Sequence, residues 1–199
     1  MIQSPGKTYS RKQRWLHWLM ALMIVSLLIA IEIKSDFPKG DPRISQLVEW
    51  HKQAGLWVLF LVWFRLYWRY RQATPQILPP LSLAARAGAH AAHVLLYLMM
   101  IGIPVLGVLF SQAKGRAIDF MGWPVPILLD ESTGLPYALT LKTLHQWLGN
   151  AMMYLIGIHF ASALFHHWIR RDNTLIRMLG GHKPVADRSF FQTTIKQET

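Results

Sequence analysis

The stretch TLHQWLGNAMMYLIGIHFASALFHHW, residues 143–168, is apolar enough to span a bilayer, yet it holds His145, His159, His166 and His167. Ionisable side chains in such a run are costly in lipid, so we expect them to face a protein interior, a cavity or a cofactor. On a helix with about 100° per residue, His145 and His159 share a face about 21 Å apart along the axis. His166 continues the same stripe. One helix therefore offers imidazole at two membrane depths.

Three further apolar runs have bilayer-spanning length, at residues 15–33, 47–68 and 89–110. The chain has 199 residues, of which 52% are hydrophobic. This pattern predicts an all-α membrane protein, a bundle of four transmembrane helices. We predict one four-helix domain over residues 1–178, and a polar C-terminal tail, residues 179–199, to which no role is assigned.

Charge predicts the orientation of these helices. The formal net charge is +11. The basic excess falls before the first run, between the second and third, and after the fourth, whereas the other two connections are balanced. The positive-inside rule then places both termini in the cytoplasm, with the first helix kept as a membrane anchor. Because the basic residues are spread over membrane-flanking segments, we expect no nucleic-acid partner.

The chain has no cysteine. This excludes disulfides, thiolate-ligated iron–sulfur clusters and the C-x-x-C-H attachment of haem. Any metal or haem must therefore be held by histidine, methionine or carboxylate groups.

Four histidines fall into two pairs by depth. His17 lies near the inner end of the first run and His51 near the outer end of the second, while the fourth run passes from outside to inside. His51 should therefore face His145, and His17 should face His159. The residue one turn after each is small: Ala21, Gly55, Gly149 and Ala163. Small neighbours on the same helix face leave room for a planar macrocycle.

Other interpretations remain open on the residues alone. A histidine in a membrane helix can simply form an interhelical hydrogen bond, and small residues favour helix packing without any cofactor. Imidazole also binds zinc and copper, as in a metal transporter, although transport sites usually lie at the midplane with carboxylates, which this sequence lacks there. Methionine is a further possible haem ligand.

Several segments together resemble the bacterial cytochrome b561 family over about residues 9–178. They are RWLHW (14–18), HKQAG (51–55), GAHAAH (88–93), HQWLG (145–149), IHFASALFHH (158–167) and DNTLIRM (172–178). Within the family the chain is most similar to the small stand-alone di-haem members. The resemblance implies two haem b groups with axial ligands His17, His51, His145 and His159. It also implies a location in the bacterial inner membrane.

The same resemblance implies an oxidoreductase that passes electrons from superoxide, on the periplasmic side, to ubiquinone. It favours His93 and His166 as quinone contacts. The partners would be the lipid bilayer, ubiquinone, and superoxide or another one-electron donor. The alternative is a cytochrome b subunit that relays electrons between a partner dehydrogenase or hydrogenase and the quinone pool.

Superoxide is an anion, so cationic side chains near the outer haem could steer it. The candidates are Lys52, Arg116 and Lys142, and the two lysines adjoin or lie close to His51 and His145 in sequence. These cations could instead contact haem propionates or pair with nearby acids, namely Glu49, Asp119 and Glu131. The sequence does not decide between these roles.

Overall fold

The computed structural model describes residues 8–181, and within that range it is mostly helical. The elements are α1 Arg11–Lys34, α2 Pro42–Arg71, α3 Leu83–Gln112, β1 Asp119–Phe120, β2 Trp123–Pro124, α4 Glu131–Gly134, α5 Ala138–Trp168 and α6 Thr174–Leu179. One 3-10 turn, Leu135–Tyr137, joins α4 to α5. Nearly all of the predicted tail, residues 182–199, lies outside the described part of the chain.

Three stretches are long and apolar enough to cross a membrane: Arg11–Lys34, Leu83–Gln112 and Glu131–Trp168. The fourth long helix, α2, matches them in length but carries more charge. Large apolar side chains are exposed along all four long helices. A soluble protein of this size would bury such side chains, so the exposed surface suits a lipid environment.

All four long helices begin earlier than the apolar runs predicted, and at α1, α2 and α3 a polar side chain caps the N-terminus. Ser10 forms a capping box with Gln13 at the start of α1. Asp41 caps α2 ahead of Pro42, and Ser82 caps α3 by accepting from Ala85. Capping satisfies backbone N–H groups within a polar first turn, which apolar periodicity does not register.

The connection between α3 and α5, on the side predicted to be outer, contains regular structure. It contains the β1–β2 hairpin, in which Phe120 pairs with Trp123, followed by α4 and the 3-10 turn. The buried amide of Gln112 donates to the Pro126 carbonyl and accepts from the Leu128 backbone, both at 2.9 Å. These bonds close the connection over the outer end of α3.

The order of packing is α1 on α2, α2 on α3 and α3 on α5. The last helix, α5, makes few direct backbone contacts with α1 or α2. A small core joins the four, built from Met20, Ile24, Val58, Val62, Met100 and Met152. The two helix pairs are therefore held together near the middle of the bundle, with space left between α5 and the first two helices toward either end.

At the end of the bundle predicted to be inner, the nonhelical link between α2 and α3 packs against the segment that follows α5. The Leu78 N–H donates to Asn173 Oδ1 at 2.9 Å, and the Asn173 N–H donates to the Leu78 carbonyl at 3.2 Å. Buried Arg177 of α6 donates to the Pro75 carbonyl and lies over the ring of Tyr9. These contacts join the N-terminal lead-in, the link and α6 into one layer.

Candidate functional site

The inner pair joins the two ends of the bundle. His17 projects from α1 and His159 from α5, and their ring centres are 6.4 Å apart at an interplanar angle of 73°. Both side chains are half-buried. Arg65 of α2 stands close by, with its guanidinium 5.9 Å from the ring centre of Tyr97. Arg65 is also near enough to act electrostatically on both His17 and His159.

The outer pair has the same arrangement with an added restraint. The ring centres of His51 and His145 are 6.0 Å apart at 77°. His51 Nδ1 is 3.1 Å from the Leu27 carbonyl, and His145 Nδ1 is 2.9 Å from the Ile103 carbonyl. A carbonyl only accepts, so both rings carry their proton on Nδ1 and keep Nε2 as a lone pair. In this tautomer the Nε2 lone pair can bind a metal ion.

These distances suit one iron between each pair. Two imidazoles that shared one metal ion, each with a metal–nitrogen bond of about 2 Å, would have ring centres at most about 6 Å apart. The space beside the outer pair also fits: a Cβ added at Gly55 or Gly149 would meet no atom within 4 Å. Because α5 stands away from α1 and α2, a planar macrocycle has room to enter there.

The two histidines favoured as quinone contacts lie in different places. His93 of α3 packs against His159, with ring centres 5.5 Å apart. His166 lies at the inner end of α5, and its Nδ1 is 2.5 Å from Asp172 Oδ2. No hydrogen bond or ring contact joins His93 to His166 among the described residues. His93 therefore borders the inner pair, while His166 stands at a separate surface.

That surface is a shallow groove of about 320 Å³ on the outward face of α5. It is lined by Ile158, Ala161, Ser162, Phe165 and His166. Apart from His166, these residues are exposed, so the groove opens away from the rest of the bundle. A molecule dissolved in the bilayer could reach it without crossing the protein.

The remaining inner histidines have no comparable setting. His90 is exposed, and the Nδ1 of His167 is buried without a hydrogen-bond partner. Within residues 8–181, no three His, Cys, Asp or Glu side chains cluster as a metal site.

The three outer cations differ in their partners. Lys52 forms an ion pair with Glu49 at 3.2 Å. Arg116 is exposed and Lys142 half-buried, and within the described residues neither forms an ion pair with a carboxylate. Two of the three candidate cations thus keep their charge available to an anion.

Two residues beside these histidines were given no role from the sequence. A Cβ at Gly107 would lie 3.2 Å from Cε1 and 3.4 Å from Nδ1 of His145, so this glycine makes room for the ring. Asp172 is buried against His166 from beyond the end of α5. Asp172 lies six positions after His166, in the turn beyond the helix, so helical periodicity does not relate the two. The sequence signals were a carboxylate just after a histidine-rich helix end and its place in a segment that resembles the family.

Comparison with known proteins agrees with this geometry. The model of the prokaryotic cytochrome b561 family matches residues 8–181. The chain belongs to the prokaryotic cytochrome b561 family. Cytochrome b561 homolog 1 of Escherichia coli (strain K12) is 31% identical over 175 residues, covering 88% of this chain and 98% of that protein. The probable superoxide oxidase CybB of Yersinia pestis is 31% identical over 173 residues, covering 87% and 96%.

A third relative, cytochrome b561 homolog 2 of Escherichia coli (strain K12), is 33% identical over 166 residues, covering 82% of this chain and 87% of that protein. Membership of the cytochrome b561 family makes the chain a bacterial membrane protein that binds haem b and takes part in electron transfer. The predicted family is thereby confirmed.

Proposed function

We propose that the protein is a di-haem b oxidoreductase of the bacterial inner membrane, which passes electrons from superoxide on the periplasmic side to ubiquinone. One observation carries the proposal: two histidine pairs, with ring centres 6.0 and 6.4 Å apart, lie at two levels along α5. A haem in each would make a conductor from one membrane surface to the other. The relative named as a probable superoxide oxidase supports the choice of electron donor.

The proposal includes α2 as a fourth transmembrane helix, with both termini cytoplasmic. Residues 53–64 of α2 carry no charged side chain, and Ala54, Val58 and Val62 are buried against the bundle. The charges lie on either side of this segment. Lys52 and Arg65 are long enough to extend toward the headgroups, which lengthens the span that α2 can cover.

We assign the axial ligands as His51 with His145 and His17 with His159. The carbonyls of Leu27 and Ile103 hold the outer rings in the tautomer that presents Nε2. A bound haem supplies one-electron chemistry. The polypeptide sets the ring orientation, keeps water away from the pairs through the surrounding apolar helices, and places Arg65 beside the inner pair.

At the outer surface, Arg116 and Lys142 are the cations we assign to attracting superoxide. A local positive charge raises the encounter rate with an anion, and added salt screens the effect. Replacing both with glutamine should slow haem reduction by superoxide severalfold at low ionic strength. Lys114→Gln, an exposed outer lysine two residues from Arg116, is the matched control. Equal slowing by control and double variant would contradict the assignment.

Redox difference spectra of the purified protein test the cofactor, and stopped-flow mixing with superoxide and a ubiquinone analogue tests the reaction. We expect a reducible b-type band, two haems per chain, and superoxide consumption that depends on quinone. Absence of the band would end the proposal. A b-type band without superoxide consumption above the spontaneous rate would favour the alternative, a relay subunit for a partner dehydrogenase or hydrogenase.

A further inference from the structure

A carboxylate beyond the end of α5 folds back onto a histidine of that helix. Arg171 adopts a left-handed conformation, φ 54°, and the chain reverses there. The Asp172 N–H donates to the His166 carbonyl at 3.1 Å, while His166 Nδ1 stands 2.5 Å from Asp172 Oδ2. Asp172 is completely buried, and its Oδ1 accepts from the Thr174 N–H at 2.9 Å. The carboxylate is thus held in one orientation toward the ring.

The charges around the pair favour an ionised carboxylate. Arg170 Nε lies 3.8 Å from Asp172 Oδ2, and Arg177 of α6 acts on the same carboxylate. The link over residues 72–82, which packs on this turn, has no titratable side chain. Burial alone would raise the pKa of Asp172, but hydrogen bonds from His166 and Thr174 outweigh it and hold the pKa below its ordinary value.

A buried carboxylate on Nδ1 changes what the other ring nitrogen can do. A neutral imidazole with its proton on Nδ1 presents only a lone pair at Nε2. The adjacent negative charge stabilises the imidazolium, in which both nitrogens carry a proton. His166 can then donate from Nε2 and afterwards release that proton while Nδ1 stays bonded to Asp172.

The groove beside His166 has the shape and lining that a lipid-soluble quinone needs. Its walls are apolar except for Ser162 and His166, which lie one turn apart on the same helix face. Phe165 stands edge-on to the His166 ring, with centres 6.1 Å apart, and is half-exposed. An aromatic head group can contact Phe165 while its oxygen meets the imidazole.

We propose that Asp172 is a positioning residue that fixes the His166 ring at this groove and stabilises its imidazolium form, so that His166 hands a proton to the quinone oxygen as the quinone is reduced. The inference rests on the proposed function, because it takes ubiquinone as the electron acceptor. It adds a residue that acts through His166 without touching the quinone.

The proton and electron balance is complete. Two superoxide ions each lose one electron and leave as dioxygen, and the quinone gains two electrons and two protons to become the quinol. One proton comes from His166: its Nε2–H bond breaks and an O–H bond forms on the quinone. Water at the inner face supplies the proton for the second oxygen and later reprotonates His166. Asp172 stays ionised throughout.

The test uses the full-length haem-loaded protein and the Asp172→Asn variant. Asparagine keeps the size and an oxygen for Thr174 but removes the negative charge. Haem is first reduced chemically, and its reoxidation by a soluble ubiquinone analogue is then followed across pH. Asp130→Asn, an exposed cap residue at the outer surface, is the control for the same substitution.

We expect the maximal reoxidation rate of Asp172→Asn to fall roughly 10²-fold at alkaline pH, with little change in KM, because general acid catalysis contributes at that scale. Toward acid pH the rate should recover, so the alkaline limb of the profile moves to lower pH. Asp172→Glu should restore part of the rate. Haem reduction by superoxide at the outer surface should be unchanged in all three variants.

Two failures can be told apart. If the wild-type protein does not pass electrons to the quinone analogue, the proposed function fails. If the wild-type protein does pass electrons to the quinone analogue, the pH profiles decide. The role proposed for Asp172 is wrong if the pH profile of Asp172→Asn matches that of the wild type or differs only in KM. If Asp172→Asn loses its haem, the His166→Gln variant provides the test instead. The glutamine amide can still donate a hydrogen bond to a quinone but cannot supply a proton. The proposal therefore requires slow haem reoxidation at a rate that does not depend on pH. A pH profile of wild-type shape in that variant would overturn the proposal.

Discussion

Gly107→Ala is the sharpest perturbation of the outer haem site. Gly107 lies on α3 directly against the His145 ring, and the added Cβ would stand 3.2 Å from Cε1 and 3.4 Å from Nδ1. The first distance is short for carbon atoms, so the ring must move by a few tenths of an ångström. That movement acts on the hydrogen bond of 2.9 Å between His145 Nδ1 and the Ile103 carbonyl.

The magnitudes predict a local defect without loss of the fold. Weakening this hydrogen bond costs about 0.5–1.5 kcal/mol. Replacing glycine by alanine inside a helix stabilises the folded protein by roughly 0.5–1 kcal/mol. The net change in the free energy of unfolding should therefore be near zero. Ligand orientation responds more strongly, because loss of a bond that orients a metal-binding histidine typically lowers metal affinity by about 10- to 100-fold.

Haem titration of the purified apoprotein, with difference spectra, measures this effect. Gly102→Ala is the matched control, since it lies on the same helix and its added Cβ meets nothing within 4 Å. We expect Gly107→Ala to weaken one of two haem sites and leave the other intact, and Gly107→Val to abolish that site. The reasoning is refuted if Gly107→Ala and Gly102→Ala behave alike, or if both haem sites weaken equally.

Three further outcomes follow from the contacts described above. His51→Ala and His145→Ala should remove the same spectral component; loss of different components would contradict the pairing. Arg177→Ala, which leaves the Pro75 carbonyl without its charged donor, should destabilise the protein by about 1.5–3 kcal/mol in detergent melting, whereas exposed Arg86→Ala should change little. Because the pKa of Asp172 is held low, its stabilising effect is present above the ordinary carboxyl value of about 4 and is lost as pH falls through the lowered value. The Asp172→Asn variant should lack this acid-dependent step in melting curves, and a step of the same size would rule the linkage out.

The arrangement gives α5 two separate tasks. Its middle and outer parts carry one member of each histidine pair, facing α1 and α2 across a gap. Its inner end carries His166, which is held by the turn that follows the helix. The layer formed by the link, α6 and the N-terminal lead-in fixes that turn through Asn173 and Arg177. Stability of the inner face and orientation of the groove are therefore coupled.

Apolar length and histidine spacing predicted much of the bundle. The depth of His17, His51, His145 and His159 follows from the helical rise per residue, so the sequence alone predicts the two facing pairs. Helix starts were less accurate because capping by Ser10, Asp41 or Ser82 is a polar signal outside the apolar runs. The hairpin and short helix beyond α3 were missed because Gln112 orders that segment through contacts with residues far along the chain.

The sequence alone determined which residue types are available to bind a cofactor, because the chain has no cysteine. It also determined the depth of each histidine, because the rise per residue of a helix is constant. Tertiary structure decided what each histidine meets. Only the packing of α3 on α5 shows that Gly107 and the Ile103 carbonyl restrain His145, and that His93 stands beside His159. Only the chain reversal after α5 brings Asp172 to His166. Such contacts join segments whose separation in sequence carries no periodic signal, so they emerge only once the helices are packed.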